Sequence, residues 1–151
     1  MKCLLVLFSC HHKNTEKIAN VFAEVFDAQT RMPQQIDPKE LQDYDLVGFG
    51  SGIDSAKHYK VLLDLADKLP QVTNKRAFIF STSGIAEVAK NHSALREKLQ
   101  SKGYIIVGEF NCAGFNTHSF LRFFGGMNKG RPNAEDLRHA EEFAQSLKQR
   151  L

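Results

Sequence analysis

The 151-residue chain has no tryptophan, three cysteines and four prolines. Cys3, Cys10 and Cys112 are far apart and form no C-x-x-C pair. An odd count without ligand spacing excludes a disulfide scaffold and a thiolate zinc site, and it fits reduced thiols. Long hydrophobic runs are also missing. The longest, Leu4 to Phe8, is far too short to cross a bilayer, and Met1-Lys2-Cys3 leads into it with no small-residue cleavage site behind. We therefore expect a cytoplasmic protein without membrane insertion. No Lys/Arg block exceeds the pair Lys75-Arg76, and the net charge is only +3 at pH 7, which argues against nucleic-acid binding. Internal repeats and low-complexity segments are absent as well.

What is present is a regular alternation. Cys3–Phe8, Asp45–Phe49, Ala77–Phe80 and Tyr104–Val107 are short apolar runs of the kind buried on both faces of a sheet, and a weaker strand is expected near Ala28–Met32. Between them the period becomes helical. Ile18, Val21, Phe22, Val25 and Phe26 share one helix face, as do Tyr59, Leu62, Leu63, Ala66 and Leu69 before Pro70. Leu95 and Leu99 repeat the pattern more faintly ahead of Gly103. Asn133 with Asp136 marks an N-cap, and Leu137, Ala140, Phe143, Ala144 and Leu147 follow on one face. Such alternation predicts βαβ crossovers and a single α/β domain over residues 1–151, a three-layer, doubly wound sandwich on a five-stranded parallel sheet.

Ligands of open α/β sheets bind beyond the carboxyl ends of the strands. Four loops are nominated on that ground: Ser9–Thr15, Gly50–Lys57, Ser81–Ile85 and Asn111–Thr117. The first joins a buried strand to an amphipathic helix, so backbone N–H groups and the helix N-terminus favour an anion there. Ser9, Asn14 and Thr15 add donors, and His11, His12 and Lys13 add positive charge. Phosphate is the natural guest, with simple helix capping by Asn14 and Thr15 as the competing reading. His11 and His12 are read either as imidazoles charged beside phosphate or as exposed loop residues. Adjacent histidines point apart and have no ligand-spaced partner, so no metal site is expected. Ser81-Thr82-Ser83-Gly84 lacks the G-x-S-x-G pattern of a nucleophile turn. Asn111 to Arg131, with Gly114, Gly125, Gly126 and Gly130, is a long glycine-rich excursion, and Phe115 to Phe124 hold the densest aromatic cluster.

Phe8-Ser-Cys-His-His-Lys-Asn-Thr-Glu-Lys-Ile-Ala19 resembles the phosphate loop of flavodoxins, whose pattern is approximately S/T-x-T-G-N-T. Tyr44–Ile53 resembles their third strand and second flavin loop, and Phe78–Gly84 their fourth strand and third flavin loop. With Gly125–Pro132, the chain also resembles a short-chain flavodoxin-like subfamily having a His-His phosphate loop. Two features depart from ordinary flavodoxins: His12-Lys13 replaces the Thr-Gly pair, and the chain is slightly basic rather than acidic.

The resemblance implies a flavodoxin-like sheet of order 2-1-3-4-5 and FMN as cofactor. It places the phosphate on Ser9, Cys10, His11, His12, Lys13, Asn14 and Thr15. It places the ring between Ser51, Gly52, Ile53 and Asp54 on one side and Ser81, Thr82, Ser83 and Gly84 on the other, with Asn111, Gly114 and Phe115 closing over it. Cover for the ring is expected from Tyr59, Phe115 or Phe120, since no tryptophan is available. The leading functional reading is an electron carrier between a reductase and an acceptor enzyme, as monomer or weak homodimer. An FMN-dependent NAD(P)H:quinone-type reductase and a flavin-free interaction module are the alternatives. A phospho-receiver is excluded, because the first strand ends in Ser9, Cys10 and His11 rather than in magnesium-binding carboxylates.

Overall fold

The computed structural model describes residues 1–9, 14–83, 88–113 and 131–151. Strands β1 (Cys3–Phe8), β2 (Gln29–Arg31), β3 (Leu46–Asp54), β4 (Lys57–His58), β5 (Lys75–Ser83) and β6 (Tyr104–Ala113) alternate with helices α1 (Asn14–Phe26), α2 (Lys60–Lys68), α3 (Val88–Asn91), α4 (Ser93–Ser101) and α5 (Ala134–Arg150). The parallel sheet runs β2-β1-β3-β5-β6, and β4 pairs antiparallel with the end of β3. Counting only the parallel strands, this is the expected 2-1-3-4-5 order. The short β4 is the unexpected element.

The alternation along each strand sorts the core into two layers. Leu4, Val6, Val47, Phe49, Ala77 and Ile79 face α2 and α4, where Leu62, Leu65, Leu95 and Leu99 cover them. Leu5, Leu7, Phe78 and Phe80 face α1 and α5, where Ile18, Phe22, Ala140, Ala144 and Leu147 do the same. Phe22 is the hub of the second layer. Its ring lies 5.1 Å from Phe80 and 5.6 Å from Phe78 and from Phe110, each edge to face. Such pairs add roughly 0.5–1.5 kcal/mol beyond their buried area.

These rings fit because β3 carries no side chains opposite them. A Cβ on Gly50 would lie 2.1–2.4 Å from atoms of the Phe80 ring, and one on Gly48 would lie 2.4 Å from Phe78. Glycine here makes room for a neighbour's aromatic ring. Gly103 has a different reason: it follows α4 with φ at +99°, and an added Cβ would meet the Val72 carbonyl oxygen at 1.8 Å.

The loops nominated from the sequence are corrected in part. β3 continues through Ser51, Gly52 and Ile53 to Asp54, β5 through Ser81 and Thr82 to Ser83, and β6 through Asn111 to Ala113. The reason is ladder pairing. Gly52 aligns with Thr82 and Ser83 with Ala113, so each strand end has a neighbour to bond. The α5 start is as expected, with Asn133 and Asp136 forming a reciprocal capping box. Asp136 is buried and also takes two nitrogens of the Arg131 guanidinium, so Arg131 is tied to the first turn of α5.

Replacing Gly50 with alanine should destabilise the fold by about 1–3 kcal/mol in urea unfolding. Adding Phe80→Leu should recover part of that loss, because the two changes share one space. Strict additivity of the two substitutions would contradict the interlock.

Candidate functional site

β1, β3, β5 and β6 all point their carboxyl ends to one edge of the sheet, and the polar residues named from the sequence collect there. Ser9 follows β1, and its Oγ is buried with no hydrogen-bond partner among the described residues. α1 is helical from Asn14, so its first turn follows close behind. Thr15 turns inward: it is buried, and its hydroxyl lies 2.8 Å from that of Thr82 on β5. One of the two donates, and the accepting hydroxyl keeps its own proton to give elsewhere. Cys10, His11, His12, Lys13, Gly84, Gly114, Phe115 and Phe120 lie outside the described residues.

The segment 51–58 is a tight hairpin rather than an open loop. Ile53 pairs with His58 and Asp54 with Lys57, around a two-residue turn at Ser55 and Ala56. Both turn residues are left-handed, with φ of 52° and 63°. Asn-Gly is the usual choice for that turn, and a side chain there costs about 1–2 kcal/mol per residue. The hairpin is held from within. Ser51 Oγ accepts the Tyr59 amide at 3.1 Å and donates to the Gly52 carbonyl at 2.7 Å. The Tyr59 ring packs edge to face on Phe8 at 5.5 Å and reaches the backbone at Gly52. This brings the ends of β1 and β3 under one aromatic side chain.

Behind the hairpin lies a buried polar cluster that sequence reasoning missed. His58 is 2% exposed and donates Nε2–H to the Phe80 carbonyl at 3.0 Å, leaving Nδ1 without a partner among the described residues. Its ring centre is 5.0 Å from that of His92, which is fully buried at the start of α4. His92 Nε2 lies 2.6 Å from Ser81 Oγ, and Nδ1 lies 2.9 Å from Glu109 Oε1. Glu109 in turn receives Arg96 at both oxygens, at 2.8 and 2.9 Å. Asn111 Nδ2 donates to Ser81 Oγ at 2.6 Å. The one available signal was β6 itself, where Glu109 and Asn111 place polar groups at alternate positions of an otherwise apolar strand.

The order Ser81–His92–Glu109 is that of a hydrolase triad, but Ser81 has no exposed surface, and Asn111 occupies a lone pair of its oxygen. The arrangement is built to hold strand ends, not to attack a substrate. Burial pushes His58 down to about 3, helped by the neighbouring His92. His92 is also lowered by burial, against the pull of Glu109. Burial pushes Glu109 upward, yet Arg96 and His92 outweigh it and hold the carboxyl below its ordinary range. Cys3 and Cys112 are free, buried and pushed up to about 12 by burial, so neither supplies a reactive thiolate. Among the described residues no group of three or more His, Cys, Asp or Glu side chains is placed to hold a metal, and no helix is long and apolar enough to cross a membrane.

Two imidazoles kept neutral in the folded state and charged in the unfolded one lower stability as pH falls below about 6.5. Glu109 adds to the loss only when pH falls below the ordinary carboxylate range. Between pH 6.5 and 5.0 the His58 contribution alone should amount to about 2 kcal/mol in urea unfolding. His58→Gln should flatten that part of the profile, and an unaltered pH slope in the variant would argue against a neutral buried His58.

Comparison with known proteins agrees with this architecture. The family model described as a flavodoxin domain matches residues 5–148. An uncharacterised protein of Methanocaldococcus jannaschii is 46% identical over 148 residues, covering 97% of this chain and 98% of that one. Among solved structures, oxidised flavodoxin 2 of Bacillus cereus superposes with a TM-score of 0.75 at 18% identity, covering 100% of both chains. A Fusobacterium nucleatum flavodoxin bound to flavin mononucleotide does so with a TM-score of 0.71 at 11% identity, over 100% of this chain and 99% of that one. With the sheet order and a family model spanning nearly its whole length in agreement, the chain belongs to the flavodoxin family.

Proposed function

We propose that this protein binds FMN at the carboxyl edge of its sheet and carries electrons between a reductase and an acceptor enzyme. The observation that carries the reading is Ser9. Its hydroxyl is buried without a partner among the described residues, just ahead of the first turn of α1. A buried hydroxyl left unpaired costs about 1–3 kcal/mol, and the first amides of a helix are likewise short of acceptors. A phosphate satisfies both at once, with the helix dipole in its favour. Asn14 and Thr15 belong to that turn, and Cys10, His11, His12 and Lys13 complete the phosphate loop by sequence.

The ring falls between the β3–β4 hairpin and the end of β5. Ser51, Gly52, Ile53 and Asp54 border it on one side, and Ser81, Thr82 and Ser83 with Gly84 on the other. Tyr59 supplies aromatic cover beside Gly52. FMN, when bound, would supply reversible uptake and release of electrons, and the part of the protein would be to orient it. The hairpin is suited to orientation because Ser51 and His58 fix both of its strands. The carrier reading rests on the family, since electron transfer between proteins needs an accessible ring edge and no substrate pocket. The FMN-bound relative from Fusobacterium nucleatum supports the choice of cofactor, and the family supports the electron-transfer role.

Titration with FMN and riboflavin in parallel tests the assignment. FMN should bind far more tightly, and Ser9→Ala should weaken FMN about five- to tenfold while leaving riboflavin unchanged. Equal losses for the two flavins would remove Ser9 from the phosphate site. The loaded protein should oxidise NAD(P)H only when a separate flavin reductase is added. Rapid oxidation by the protein alone would favour the reductase reading.

A further inference from the structure

The buried cluster beside β5 has an internal direction that follows from donor chemistry alone. An Asn amide nitrogen can only donate, and Asn111 Nδ2 sits within reach of the Ser81 carbonyl at 3.4 Å and Ser81 Oγ at 2.6 Å, both acceptors. Ser81 Oγ therefore accepts from Asn111, which leaves its one proton free for His92 Nε2 at 2.6 Å. With that nitrogen as the acceptor, the His92 proton is on Nδ1, facing Glu109 at 2.9 Å. The far end fixes this direction: the Arg96 fork holds Glu109 as a carboxylate, which requires a donor from His92 rather than a lone pair. Every link from Arg96 to Asn111 is thereby oriented, and one atom is left over. Asn111 Oδ1 is buried and has no partner among the described residues.

Asn111 stands at the carboxyl end of β6, beside Ser81 and Ser83 of β5, at the edge where the site lies. We infer that Arg96, Glu109, His92 and Ser81 form a one-way hydrogen-bond relay whose task is to present Asn111 Oδ1 as a fixed acceptor to an N–H or O–H donor of the bound flavin. The inference rests on the FMN reading above. Without the relay, the Asn111 amide is free to turn over and present its nitrogen instead. With it, turning would set Oδ1 against the Ser81 carbonyl and against a Ser81 oxygen whose proton belongs to His92. Ser81 and His92 are positioning residues, acting through Asn111. Burial of His92 favours the neutral form that the relay needs.

Wild type, Asn111→Ala, His92→Leu and His92→Gln are titrated with FMN at pH 7.5, and the visible absorption band of the bound flavin is recorded. Imidazole nitrogen NMR of the cofactor-free wild type is run alongside. His92 should be the Nδ1–H tautomer and His58 the Nε2–H tautomer. Asn111→Ala and His92→Leu should each bind FMN about five- to tenfold more weakly, with a common displacement of the band. His92→Gln should restore affinity and band, because its amide oxygen accepts from Ser81 and its nitrogen donates to Glu109. A His92 carrying its proton on Nε2, an Asn111→Ala variant with unchanged affinity and band, or a Gln variant as weak as Leu would each overturn the relay. If His92→Leu does not fold, the tautomer, Asn111→Ala and His92→Gln decide. Failure of wild type to bind FMN would instead overturn the proposed function, and this inference with it.

Discussion

Everything at the site depends on how closely β3 and β5 can share the layer beneath α1 and α5. Phe78 and Phe80 are the bulk of that layer, and their rings occupy the volume that side chains at positions 48 and 50 would otherwise fill. Because the rings lie against β3 at Gly48 and Gly50, Phe22 can stand edge-on to them, which seats α1. Seating α1 puts Thr15 against Thr82 and the first turn of the helix behind Ser9. The position of the α1 N-terminus at the carboxyl edge of the sheet is thus a consequence of aromatic packing several residues away.

The opposite face of the sheet solves a different problem. β5 and β6 run on past their apolar stretches into Ser81, Ser83, Glu109 and Asn111, and those polar groups are sheltered by α3 and α4. Isolated polar groups in such a place would be costly. Linked from Arg96 through Glu109 and His92 to Ser81, they instead form a network in which each member satisfies the next. His58 adds a second clasp by holding the Phe80 carbonyl from the hairpin side. The two edges that flank the site are therefore rigid for different reasons, one through packing and one through hydrogen bonds.

Much of this could be read from residue order. Continuous apolar runs and helical spacing located the parallel strands and the long helices, because both signals are local. The sheet order came from the resemblance carried by Phe8–Ala19, Tyr44–Ile53, Phe78–Gly84 and Gly125–Pro132. The hairpin was not legible: Ser55-Ala56 is not a turn pair that chemistry favours, and the strain it bears is offset by contacts made elsewhere. His58, His92 and Glu109 escaped for a related reason. They lie far apart in the chain, and only the sheet brings them within hydrogen-bond reach, so no spacing rule connects them. The strands also proved longer than their apolar runs, since ladder partners extend a strand whatever its side chains.

The packing of α5 has a bearing on how the protein comes into being. Its residues Ala140, Ala144 and Leu147 close the layer begun by α1, and Lys148 reaches back to the Val25 carbonyl across 123 positions of sequence. During synthesis, β1, β3 and β5 emerge well before that helix, with Phe22, Phe78 and Phe80 on a face whose cover has not yet been made. Nascent chains of this protein would therefore display an aromatic surface to the ribosome exit region and its attendant chaperones until α5 has emerged, so completion of the core is tied to translation of the helix farthest along the chain.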